Sequence, residues 1–252
     1  MWNSLKSDLY RMVHTKSFYI TLCMSMLVYL LIFGNYGIMS NTTFALFNAD
    51  TDSFTQYLYY LPKSGIFQCI LLIFLSMFFS DEYISGFHKN VYPLQVKKYN
   101  IVIERFIFSF IVALLYFVCT LIPDVIHQLC KPLSFGDFDF LQYLLFLLIQ
   151  ILFICAVSGL ISLIIHVSRS RVVAVLLSIG YGMMFIYMIL MGLSMFMFKE
   201  DILVRYTLYV NAGTLPQTFS WSAYQTPLLV LGGALVLYHT ISYIILKKKD
   251  IA

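Results

Sequence analysis

Charge is what this chain has least of. Asp, Glu, Lys and Arg supply 11% of its 252 residues, while 61% are hydrophobic and the mean hydropathy is +0.85. A soluble globular domain carries about 25% charged and about 45–50% apolar residues. That class is excluded, and an integral membrane protein is expected. Cysteine is sparse too, with five residues, an odd number, and no CxxC pair. Four of the five lie within apolar runs, where a thiol acts as a small hydrophobe, so neither a disulfide nor a metal site is expected. The five histidines are equally scattered. No G-x-x-x-x-G-K-[ST] phosphate cradle occurs, so any ATP must be handled by another chain. The net charge of +4 is spread over several segments with no clustered basic face, which argues against a nucleic-acid partner.

Long apolar runs are abundant. Six of 18 residues or more, at about 18–38, 61–80, 106–123, 140–165, 172–198 and 226–246, contain no charge except Lys63 near one end. About 20 helical residues cross a hydrocarbon core of about 30 Å. The expected fold is therefore an all-α integral membrane protein with six transmembrane helices in one domain, 1–252. The first run follows Lys6, Arg11 and Lys16 as a signal peptide would, but its length, its lack of a small-residue cleavage site and the later runs point to a retained span. With the N-terminus inside, inner segments hold 12 of the 16 Lys and Arg residues, and outer segments hold 7 of the 12 acids. The positive-inside rule then places both termini in the cytosol of a multi-pass protein of the cell membrane.

Two segments outside the runs have their own patterns. In residues 3–16, Leu5, Leu9, Met12 and Val13 fall at i, i+4, i+7 and i+8, with Lys6, Ser7, Arg11 and His14 opposite. An amphipathic helix along the inner leaflet is expected, either as a plain basic anchor or as something more specific. Residues 81–105, DEYISGFHKNVYPLQVKKYNIVIER, form a charged island between two apolar runs. Gly86 allows a sharp turn after Asp81 and Glu82. A short helix over 87–92, with Phe87 and Val91 on one face, should end at Pro93. A second helix should restart near Val96 and lead through Glu104 and Arg105 into the third span. A plain loop would have little use for Phe87, Val91 and Leu94, so a docking element is favoured over a simple basic connector.

The island and the N-terminal segment together resemble the permease subunit of type 2 ATP-binding cassette (ABC) exporters, the small six-span class of bacteria. The resemblance is carried by Glu82-Tyr83, Gly86, Lys89-Asn90, the polar turn before Tyr99, Arg105, and SLKSDLYRMVHTKSFYI, which is similar to that family's connecting helix. It implies two permeases joined to two cytosolic ABC ATPase subunits, which bind the ATP and Mg. It also implies a coupling helix between spans two and three that sits in a groove on the ATPase. On that resemblance Glu82, Gly86, Phe87, His88, Lys89, Asn90 and Arg105 transmit ATPase motion. No catalytic residue, metal ligand or cofactor is expected in this chain.

Span five carries Ser178 and Gly182 four residues apart, with Gly180 and Gly192 as further points of close approach. Such small residues let helices pack tightly in lipid, and contact with a second permease copy and packing within the chain both fit. The methionines there, among them Met184, Met188 and Met191, suit either a pathway for apolar cargo or filling against lipid. Gln150 and His239 are expected to hydrogen-bond between helices. Residues 199–225 are expected at the outer interface, and the resemblance implies a re-entrant cap there. An exporter of a hydrophobic or amphipathic substrate, such as a peptide or bacteriocin in export or self-immunity, accounts for these features together. The alternative is a non-transporting membrane anchor or sensor subunit of a signalling or immunity complex.

Overall fold

The computed structural model describes residues 2–34, 58–59, 62–86, 98–130, 138–183, 185–198, 205–213, 215 and 220–248. Among them there is no strand. The helices are α1 (Trp2–His14), α2 (Lys16–Gly34), α3 (Gly65–Ile84), α4 (Tyr99–Cys130), α5 (Phe140–Ser168), α6 (Arg171–Gly182), α7 (Phe185–Phe198), α8 (Leu208–Gly213) and α9 (Trp221–Lys248).

Four of these, α3, α4, α5 and α9, are long and apolar enough to cross a membrane, or five spans result if α6 and α7 count as one broken span. The chain is thus a membrane-embedded, multi-pass, all-helical protein by length and composition. The first apolar run is a helix from Lys16 to Gly34, and the remainder of that run lies outside the described residues.

Helix α5 is the hub. It packs against α3, α4, α6 and α9, and 67% of its most apolar window is buried, against 11% for α9. Asp139 caps its start, accepting from the Leu141 and Gln142 amides at 2.9 and 3.4 Å. Arg169, left-handed at φ 53°, ends it. Ser170 then caps α6, so two helices meet at a two-residue corner. The core is strongly aromatic. Phe78 stacks on Phe108 with ring centroids 4.5 Å apart, and Phe74 and Phe67 lie against Tyr116.

Helix α3 runs on through Asp81 to Ile84, beyond the expected end at 80, and α4 begins at Tyr99, close to the restart expected near Val96, and carries Glu104 and Arg105 into the third span. The charges that marked the span ends are tolerated inside the helices because they are paired there. The fifth run, 172–198, is not one helix: α6 and α7 are bent by 68° at the break near Met183. The turn expected at Gly86 is present, with φ +70° directly after the end of α3.

Small residues bring α6 onto α3. A methyl group at Gly182 would fall 2.4 Å from the Cys69 Cα, and one at Gly65 would fall 2.5 Å from the Gly182 carbonyl oxygen. Ser178 Oγ donates to the Leu72 carbonyl at 3.2 Å. Overpacking a close backbone contact costs about 1–3 kcal/mol. Gly182→Ala should therefore lower the unfolding temperature of the detergent-purified protein. Gly192→Ala, whose methyl meets nothing within 4 Å, should leave it unchanged.

Candidate functional site

The island's flanks meet at one end of the bundle, around Glu82. This residue occupies the last turn of α3 and its side chain is only 7% exposed. Each carboxylate oxygen accepts from a different guanidinium: Oε1 from Arg11 of α1 at 2.7 Å, and Oε2 from Arg105 of α4 at 2.9 Å. One acid thereby ties three helices together.

Arg105 is the better enclosed of the two bases, at 6% side-chain exposure. Its Nη1 donates to Ser162 Oγ of α5 at 2.6 Å and lies 3.4 Å from His166 Nε2. The His166 Nδ1 is hydrogen-bonded to the Tyr83 hydroxyl. Arg105 also lies over the rings of Phe79 and Tyr83, and Arg11 lies over Phe78 at 4.1 Å. Guanidinium suits this place because its planar donors can serve several acceptors while its face stacks on aromatic rings. At the surface of the same end, Arg171 of α6 pairs with Asp81 at 3.3 Å, with both side chains substantially exposed.

Helix α1 docks here through more than Arg11. Leu5 and Met12 enter the main core, Asp8 is buried between them, and Ser4 hydrogen-bonds to Glu104. The expected apolar face is partly corrected. Leu5, Asp8 and Met12 form the buried stripe, Val13 stays exposed, and the helix lies against α4 of its own bundle.

Three carboxyl groups, Asp8, Glu82 and Glu104, face two guanidiniums here. Burial, then the charge of Glu82, and then charge and a hydrogen bond from Glu104 raise Asp8 from the ordinary 3.8 to about 8, with Arg11 pulling the other way. A protonated Asp8 leaves the formal charge count of the cluster even. It can also donate to Glu104, where two ionised carboxylates would repel.

The opposite end of the bundle is tied by side-chain amides and a lysine. Gln68 Nε2 donates to Gln150 Oε1 at 3.1 Å, and Gln150 Nε2 donates to the Ala212 carbonyl of α8 at 2.7 Å. Lys63 donates to the Leu215 carbonyl at 2.6 Å. Leu208, Asn211, Ala212 and Leu215 are buried in the bundle at this end. Gln150 makes the interhelical bonds expected of it. His239 does not: its Nδ1 bonds to the Leu235 carbonyl of its own helix, and its ring fills the space beside Gly159.

Of the residues singled out from sequence, Glu82 and Arg105 are brought into direct contact and Gly86 forms the adjoining turn. Phe87, His88, Lys89, Asn90 and Met184 lie outside the described residues. Ser178 and Gly182 face α3, so packing within the chain accounts for them. Gly180 faces Ile186 across the break, while Met188 and Met191 are exposed. Sequence reasoning missed Asp8, Arg11, Ser162 and His166. The available signal was Asp8, an acid three residues after Leu5 and four before Met12 at the edge of the apolar face, with Arg11 three residues on. Among the described residues no group of three or more His, Cys, Asp or Glu is placed to hold a metal ion. No protein-family model matches the chain, and no curated protein matches its sequence.

The raised Asp8 has a consequence for stability. The folded protein holds this proton up to about pH 8, whereas the unfolded chain loses it near pH 3.8. The contribution is complete below about pH 4, is lost as pH rises to about 8, and is level above that. Thermal unfolding measured between about pH 5 and pH 8 should show Asp8→Asn, which stays neutral, gaining on the wild type as pH rises. Parallel profiles would contradict the assignment.

Proposed function

We propose that this chain is the membrane-spanning permease subunit of an ATP-driven exporter. It has six spans and both termini in the cytosol of the cell membrane, and it pairs with a second copy and with cytosolic ABC ATPase subunits that bind ATP and Mg. The cargo is hydrophobic or amphipathic, with a peptide or bacteriocin as the leading class. The observation that carries this reading is the Glu82 joint. Helix α3 ends at Ile84 and α4 begins at Tyr99, and these two flanks of the intervening segment are tied to each other and to α1 through Glu82, Arg105 and Arg11. A push delivered to residues 87–97 would reach three helices at once.

The reading is tested by co-expression with candidate ATPases, purification, and ATP hydrolysis measured with and without this chain. A stable complex whose hydrolysis responds to the permease is the expected result. In that complex, Phe87→Ala together with Lys89→Ala should leave hydrolysis in place while transport falls about tenfold or more. Failure to associate with any ATPase would defeat the exporter reading, and a complex without transport would point to the anchor or sensor.

A further inference from the structure

Five tyrosines converge where the break between α6 and α7 faces α8 and α9. Tyr181, Tyr187, Tyr206, Tyr209 and Tyr238 line a cavity of about 370 Å³, within the range of about 300–1,000 Å³ typical of small-molecule sites. The Tyr187 and Tyr209 rings lie 5.9 Å apart at 40° to each other. Tyr181 and Tyr238 adjoin one another in this wall. Apart from Thr207 the remaining lining is aliphatic. The α9 part of the wall, Val230 to Tyr238, begins nine residues after Trp221, about 13 Å along the helix axis. That places it in the middle of a span.

The chemistry of this lining selects among ligands. Among the described residues no Lys, Arg, Asp or Glu contributes to it. An anion would find no basic donor, and a small, strongly hydrated metal ion would find no carboxylate to replace its water. Aromatic ring faces carry negative potential, and they hold cations whose charge is spread over a bulky, weakly hydrated group. Tyr206 and Leu237, on the cavity's margin, are 60% and 52% exposed, so a ligand can enter from the side of the bundle without crossing the core.

We propose that this cavity binds a bulky organic cation with an apolar body, of the quaternary ammonium or phosphonium type, held against the rings of Tyr187 and Tyr209. The proposal concerns binding alone and stands whether or not the chain is an exporter.

Equilibrium dialysis of radiolabelled tetraphenylphosphonium against the detergent-purified full chain tests it. Saturable binding is expected, with neutral triphenylphosphine oxide competing at least about tenfold less well. Tyr187→Leu with Tyr209→Leu should weaken binding about tenfold, equivalent to about 1.4 kcal/mol. Tyr187→Phe with Tyr209→Phe, which keeps both rings, should stay within about threefold of wild type. Absence of saturable binding to the monodisperse wild type would overturn the proposal. So would equal competition by the neutral compound, an unaffected leucine variant, or a phenylalanine variant as weak as the leucine one. Should the leucine variant aggregate, the neutral competitor on the wild-type protein decides.

Discussion

Removing a carboxylate and two guanidiniums from water costs several kcal/mol per ion, and the cost is recovered only when geometry and additional hydrogen bonds are good. Around Glu82 they are. Both oxygens are occupied, Arg105 has a second partner in Ser162, and aromatic faces cover the two bases. Apolar contact discriminates poorly between helix neighbours in lipid, since the tails are as apolar as leucine. Register must come from elsewhere. At one end of this bundle it comes from the charged joint of α1, α3, α4 and α5, and at the other from the amide ladder of Gln68, Gln150 and the Ala212 carbonyl. Between them the aromatic core fills volume without specifying position.

The two ends differ in what can change them. The amide end joins α3 to α5 and α8 by short neutral bonds. The charged end holds three acids against two bases and stands beside the left-handed turn at Gly86. Because Glu82 pairs with both Arg105 and Arg11, α1, α3 and α4 are tied together there. The bend of 68° between α6 and α7 is a separate feature, and it follows Gly182, the residue whose backbone lies closest against Cys69 of α3.

Hydropathy makes the class and the long helices legible, because a lipid-facing helix and a charge-free run of 18 residues are the same constraint seen twice. It misplaces the ends of α3 and α4, because a charge in sequence carries no sign of whether a partner waits for it in space. Glu82 and Arg105 were readable as positions through a family resemblance, but their contact was not, and neither was Arg11, which reaches Glu82 across 71 residues. The break at Met183 was hidden because methionine is a good helix former. Asp8 carried no reading of its own in the sequence. Its burial becomes apparent only once α1 is seen against α4.

A double-mutant cycle on Glu82 and Arg105 tests the central claim most directly, by unfolding the wild type, Glu82→Gln, Arg105→Gln and the double variant in the same mixed micelles. Each single change leaves a buried charge without its partner, and the double change removes both. A coupling of about 2 kcal/mol or more is the predicted result. Additivity within about 0.5 kcal/mol would show that the two residues act independently and would contradict the account.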